Sequence, residues 1–303
     1  MSHVAVTGAT GLIGRALCTR LLARGDTLTV LSRDAATARK RLPGAQHYRA
    51  WQPGSLTALD GIDAVVHLAG ASIAGQRWTA DYKREITESR TRGTRAIVDS
   101  IARATTRPTV LVSSSGVDYY GPHGDEIIDE QAAAGSGFLS QVCVAWEAEA
   151  QRAAELGVRV AMLRTGIVLD KDEGALAKLL PPFTLGLGGP VPPGTQWWSW
   201  IHRDDIVGLY LLLLDDPRAQ GPFNGTAPQP ERNRDFSTTL GQVLGRPALI
   251  PTPLFALDLA LGELARPLLV EKQRALPQKA LALGYTFRFR TLEPALRDLL
   301  RAE

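Results

Sequence analysis

Cysteine is scarce: the 303 residues hold only Cys18 and Cys143. Two thiols exclude a disulfide framework and a Cys-rich zinc site. Both fall in predicted helices, where a free cysteine serves as a small buried apolar residue. The five histidines, His3, His47, His67, His123 and His202, show no close spacing, so no metal site is expected. Long hydrophobic runs are missing: the most apolar later run, Ile206 to Leu214, is too short to span a bilayer. Charge of one sign is missing too, since 34 basic and 31 acidic residues leave only +3. The densest charged stretch, Lys83 to Arg107, mixes Arg with Glu and Asp and reads as a solvated helix face. Arginine outnumbers lysine 28 to 6, a bias of composition. The chain enters a strand at His3 with no charged leader, apolar core or cleavage site before it. The expectation is a cytoplasmic monomer or homodimer acting on a small molecule, with no nucleic-acid or membrane partner.

What is present is an ordinary globular mix, 45% apolar and 21% charged, which excludes disorder, collagen and coiled coil. Over residues 1–170 short β-rich runs alternate with helix-period segments. HVAVT, TLTVLS, QHYRAW, DAVVHLAG, PTVLVSSS and VRVAMLRTG read as six strands. Helices are predicted over LIGRALCTRLLARG with Gly25 as its stop, after Asp34, from Thr79 to Ala104 and from Phe138 to Leu156. That order predicts an α/β fold, a doubly wound Rossmann-type parallel sheet of order 3-2-1-4-5-6-7. Gly186 to Trp200 reads as loop, Asp204 to Leu214 as helix and PFNGT as a last strand. The division expected is a nucleotide-binding domain over 1–170, with 200–227 returning to it. Residues 171–199 and 228–303 then form a smaller, mainly helical, substrate-side subdomain.

The chemistry-bearing motif is GATGLIG, between the first strand and the first helix. Gly8 permits the tight turn, Gly11 lets backbone approach a pyrophosphate and Gly14 lets helix pack on sheet. With Thr10, Leu12 and Ile13 they present a helix N-terminus to phosphate. Strand two ends Leu31-Ser32-Arg33, where an NAD site carries a carboxylate. Ser32 and Arg33 suit a 2′-phosphate, so NADP(H) is the expected cofactor, and Asp34 reads as a helix N-cap. Trp51 stacks on adenine or simply packs. Leu68, Ala69 and Gly70 leave room for the cofactor beside strand four, and His67 is a strand-end hydrogen-bonding residue.

GATGLIG, HLAG, SSS after strand five and RTG after strand six together resemble an extended short-chain dehydrogenase/reductase. HLAGASIAGQRWTADYKREITESRTRGT, YYGPHGDE, WEAEA and SWIHRDD are similar to its atypical epimerase-family branch, which carries its own C-terminal domain. The resemblance covers essentially the whole chain. It implies bound NADP(H), with Ser113, Arg164, Thr165 and Gly166 joining the cofactor site. It also exposes a departure. Extended members carry a Tyr and, four residues on, a Lys as acid/base and ribose ligand. If Glu147 matches the acidic residue that follows that Lys, Leu139 and Cys143 stand in their places. The substitutes expected are Ser114 or Ser115 to polarise a substrate oxygen, and Tyr120 or an ordered water to supply the proton. Lys83, Arg90, Glu147, Trp200 and His202 are expected around a substrate pocket. Each has a structural role open to it as well, in ion pairs, helix caps or core. The function expected is oxidoreduction or epimerisation of a small polar substrate. The alternative is a non-catalytic NADP(H)-binding protein that acts through a partner.

Overall fold

Apolar β-formers and helix-period stretches alternate along the chain. They give β1 (His3–Thr7), α1 (Leu12–Arg24), β2 (Thr27–Ser32), α2 (Ala35–Arg41), β3 (His47–Ala50), β4 (Ala64–His67), α3 (Ala80–Arg103), β5 (Val110–Gly116), β6 (Ile127–Ile128), α4 (Phe138–Gln151) and β7 (Arg159–Thr165). The chain continues through β8 (Ile167–Leu169), α5 (Gly174–Thr184), β9 (Trp197–Trp198), β10 (Trp200–His202), α6 (Arg203–Asp215), β11 (Gly221–Gly225), β12 (Glu231–Arg232) and α7 (Asn233–Leu244). It closes with α8 (Ala265–Leu269), β13 (Arg274–Ala275), α9 (Gln278–Ala282) and α10 (Leu292–Leu300). The computed structural model describes residues 1–253, 255, 259, 262–270 and 272–301. The rest of the expected subdomain segment 228–303 (254, 256–258, 260, 261, 271, 302 and 303) lies outside the described residues.

Seven parallel strands form one sheet in the order β3-β2-β1-β4-β5-β7-β11, which is the order expected from the sequence. Its inner strands are buried on both faces, β3 at the edge is exposed or half-buried, and successive residues feed different layers. Val4 and Val6 pack with Leu17 and Leu21 of α1 and with Ile206 and Leu209 of α6. Ala5 and Val65 pack on the other side with Ile97 and Ile101 of α3 and Ala150 of α4. A third cluster joins α5, α7 and α10 around Trp198, Trp200 and Phe236.

Local chemistry sets the helix limits. The Asp34 carboxylate accepts from Thr37 N and caps α2, and the Thr79 hydroxyl accepts from Tyr82 N and caps α3. Three details differ from the sequence reading. The helix expected to Leu156 ends at Gln151 and tightens into a 3-10 turn over Arg152–Leu156. The expected loop 186–200 contains β9 and the start of β10, which pair with β12 and β8. The helix expected over Asp204 to Leu214 starts one residue earlier, at Arg203, capped by His202, whose Nδ1 accepts from Asp204 N.

β1 stands where the sheet switches direction. Its neighbours β2 and β4 end level with it: Thr7 faces Leu31 on one side and His67 on the other. The chain leaves these strands toward opposite faces and opens a crevice at their carboxyl ends.

Candidate functional site

The turn after β1 is built from glycine for steric reasons. Gly8 has φ +66°, and a Cβ there would lie 2.8 Å from the Leu68 carbonyl carbon. A Cβ on Gly14 would lie 2.3 Å from Gly8 O, so only glycine lets α1 start so close to β1. Gly11 is different: its nearest neighbour would be Gly8 O at 3.4 Å, with open space beyond. The start of α1 has no side-chain cap and no acidic residue. Its free N–H groups therefore face the crevice beside an open glycine, which fits an anionic phosphate.

A cleft of about 920 Å³ runs from this turn across the ends of β2 and β4. Gly8, Thr10, Gly11, Ser32, Arg33, Trp51, Leu68, Ala69 and Gly70, all expected at the cofactor site, line it. Arg33 is exposed at its edge, with no carboxylate on the last residues of β2. Trp51 is buried on the cleft wall, its ring edge-on to His67 at 5.8 Å and its indole N–H donated to Ser55 O. Thr7 explains His67. Its hydroxyl oxygen accepts from Leu68 N and Ala69 N, so its proton goes to His67 Nδ1 at 2.8 Å. Burial pushes the imidazole down to about 3, so it is neutral and holds the β4 turn in place.

A second cavity, about 330 Å³, lies on the other side of the glycine turn. Leu12, Ile13, Thr165 and Gly166 line it, together with Val117 and Asp118 from the turn after β5. Trp198, Ser199, Leu269, Lys272 and Gln273 close it from the C-terminal elements.

The other expected residues stand apart from both spaces. Ser115 Oγ donates to Glu147 Oε1 (2.7 Å), and Arg164 grips the same carboxylate with Nε at 2.8 Å and Nη2 at 2.7 Å. Arg164 also stacks on the Tyr119 ring at 3.4 Å. Burial alone would lower its pKa; the Glu147 contacts raise it, so the guanidinium stays charged. Tyr120 is fully buried. It donates to Asn224 Oδ1 (2.7 Å) and accepts from Arg164 Nη1 (2.9 Å), and burial pushes its phenol up to about 12. Ser114 Oγ shares a 2.6 Å hydrogen bond with Tyr210, and Ser113 Oγ donates to Ser114 O. These hydroxyls are spent inside the sheet's helix-covered layers, which is why they reach neither space.

The residues expected around a substrate pocket are likewise distributed elsewhere. Lys83 pairs with Glu263 and lies over the Trp78 and Phe138 rings. Arg90 is buried over Trp146 and donates to Ile86 O, and burial pulls its pKa down. Trp200 belongs to the C-terminal core and donates to Gln229 O. His202 is buried against Phe289 and pushed down to about 4 by burial. Lys83, Arg90, Glu147, Trp200 and His202 therefore line neither space. Val117, Asp118, Lys272 and Gln273 line the smaller one, and sequence reasoning passed over them. Lys272 and Gln273 lie more than 150 residues from Asp118 and Val117, with no motif to join them.

The profile of the NAD dependent epimerase/dehydratase family matches residues 4–224. The chain belongs to that family. Residues 252–299 match a second profile, a domain of unknown function (DUF1731). An Arabidopsis thaliana relative, epimerase family protein SDR39U1 homolog, chloroplastic, is 42% identical over 98% of this chain and 86% of its own length. Epimerase family protein SH2119 of Staphylococcus haemolyticus is 36% identical over the full length of both. The crystal structure of human epimerase family protein SDR39U1 (isoform 2) with NADPH superposes with TM-score 0.89. It is 36% identical and covers 98% of each chain.

The positions expected for the family's Tyr and Lys can now be placed. Leu139 packs among Trp78, Tyr82 and Ile86, and carries nothing that titrates. Cys143 is buried, and burial pushes its thiol up to about 12. A Cβ on Gly116 would lie 3.6 Å from Cys143 Sγ and 3.8 Å from Asp118 Oδ2, so thiol and carboxylate share one neighbourhood. No group of three or more His, Cys, Asp or Glu is arranged to hold a metal among the described residues. No helix there is long and apolar enough to cross a membrane.

Proposed function

We propose that this chain binds NADP(H) in the larger cleft and uses it for hydride exchange with a small substrate in the adjoining cavity. The observation that carries the reading is the end of β2. Ser32 and Arg33 line the cleft where an NAD site would present a carboxylate, level with the open start of α1. Leu12, Ile13, Thr165 and Gly166 would hold the reactive end of the dinucleotide beside the smaller cavity. The cofactor supplies the hydride; the protein's part is to orient the two ligands and exclude water. The NADPH of the human relative's crystal structure supports this choice of dinucleotide.

Fluorescence titration tests it. NADPH should bind more tightly than NADH, and Arg33→Ala should remove most of the preference. Loss of a charge-assisted contact is worth about 1.5–3 kcal/mol, roughly ten- to a hundredfold. Equal affinity of the wild type for the two dinucleotides would refute the reading. A second reading, a non-catalytic NADP(H) sensor, is favoured by Leu139 and the inert Cys143. It predicts tight NADPH binding with no small ligand accepted in the adjoining cavity.

A further inference from the structure

The smaller cavity is mostly apolar, walled by Leu12, Ile13, Val117, Ile167, Val168 and Trp198. Three polar side chains converge on it. Lys272 Nζ donates to Asp118 Oδ1 at 2.8 Å, and its other two N–H bonds have no partner among the described residues. Gln273 is 1% exposed; it donates to Val117 O at 2.5 Å and leaves its Oε1 without a partner among the described residues. The segment that carries them is held firmly. Ser199 Oγ donates to Gln273 O and accepts from Ala275 N, and β13 pairs with β6. Asp118 in turn shares the neighbourhood of Cys143, the position at which the sequence reading expects the family's Lys.

We propose that Lys272, anchored by Asp118, is a catalytic residue that binds and protonates the substrate oxygen. Its substrate would be a small carbonyl compound with an apolar body. The proposal rests on the NADP(H) reading above. In reduction, hydride from NADPH reaches the carbonyl carbon and the π pair moves onto oxygen. That oxygen takes a proton from Lys272 Nζ, and the amine recovers one from water. The carbonyl compound becomes a secondary alcohol and NADPH becomes NADP⁺; oxidation reverses each transfer. Asp118 positions the ammonium, and the apolar walls admit a hydrocarbon body while excluding water that would weaken the contact. An apolar lining with the Lys272–Asp118 pair at one end suits this ligand better than the small polar substrate expected from the sequence.

The test uses the full chain and carbonyl compounds that cannot be reduced: isobutyramide, cyclohexanecarboxamide and benzamide. Calorimetric titration is run first with NADPH, then with each amide on the NADPH-loaded protein. Wild type should bind at least one amide, and Lys272→Met should weaken it roughly ten- to a hundredfold, the loss of one charge-assisted hydrogen bond. Lys272→Arg should recover part of the affinity, and NADPH binding should stay within about threefold in both. Asp118→Asn, which keeps the side-chain shape, should also weaken the amide, so a poorly folded Lys272→Met protein would not rescue or sink the idea. Failure of wild type to bind NADPH refutes the cofactor reading before any amide is added. NADPH binding with no amide bound at about 10 mM, or with equal amide affinity in wild type, Lys272→Met and Asp118→Asn, overturns the role of Lys272 alone.

Discussion

At the scale of single residues, the chain spends its buried polar groups on structure and leaves a few for ligands. The Glu147–Arg164 pair is the clearest structural case. Both side chains are nearly inaccessible, and the carboxylate also accepts a hydrogen bond from Ser115. An ion pair taken out of water gains little net stability, yet removing one member strands the other. Arg164→Met should therefore lower stability by about 3–5 kcal/mol, while Arg164→Met with Glu147→Leu should lower it by less. Urea denaturation of both proteins checks this; a double variant less stable than the single would contradict it. The site residues were unevenly legible for the same reason. Gly8, Gly11, Ser32 and Arg33 act through local geometry, and their sequence neighbours announce it. Ser115 in the last residues of β5 and Tyr120 just past it stand where catalytic residues would, but the partners that occupy them, Glu147 and Asn224, come from distant elements.

At the scale of elements, the unit β1–turn–α1 separates two uses of glycine. Gly14 serves packing: any Cβ meets Gly8 O at 2.3 Å, and that oxygen is backbone that cannot swing aside. Gly11 serves access, since its Cβ would meet nothing nearer than 3.4 Å. Gly11→Val should leave the melting temperature within a few degrees, yet weaken NADPH binding at least a hundredfold, because its methyls fill the phosphate's space. Gly14→Ala should lose both stability and binding, since α1 must shift off the sheet. A circular-dichroism melt with a cofactor titration distinguishes them, and matching profiles for the two variants would refute the division. Six of the seven sheet strands were readable as β-rich runs between turn signals, and the seventh, β11 with Gly221, Pro222, Phe223, Asn224 and Gly225, as the short segment that follows the α6 helix. β6, β9, β12 and β13 were not: two residues carry no period, and each forms only because a distant partner lies alongside.

At the scale of the whole molecule, the C-terminal segment is tied to the sheet at a few buried points, and the first of them shapes the smaller cavity. β13 against β6 holds Lys272 and Gln273 in place. Farther along, Asp205 in α6 accepts from Arg288 N (2.8 Å) and Phe289 N (2.9 Å), and its own carbonyl accepts from Tyr285 Oη (3.1 Å). Asp205 is 2% exposed, so no water can replace it when it is removed. Asp205→Ala leaves two backbone N–H groups buried and unpaired, at about 1–3 kcal/mol each. The damage should centre on residues 285–289, because the hydrogen bonds of Asp205 to that segment run only there, although Tyr285 and Phe287 also pack into the core of α1 and β1. Hydrogen exchange followed by mass spectrometry should show residues 285–300 losing protection in Asp205→Ala while residues 3–32 keep theirs. NADPH affinity should change little. Binding of amides in the smaller cavity should hold as well, since Ser199 and β6 fix the Lys272 segment independently. Equal loss of protection across both regions would mean that sheet and C-terminal segment open as one cooperative unit and that Asp205 does not act locally.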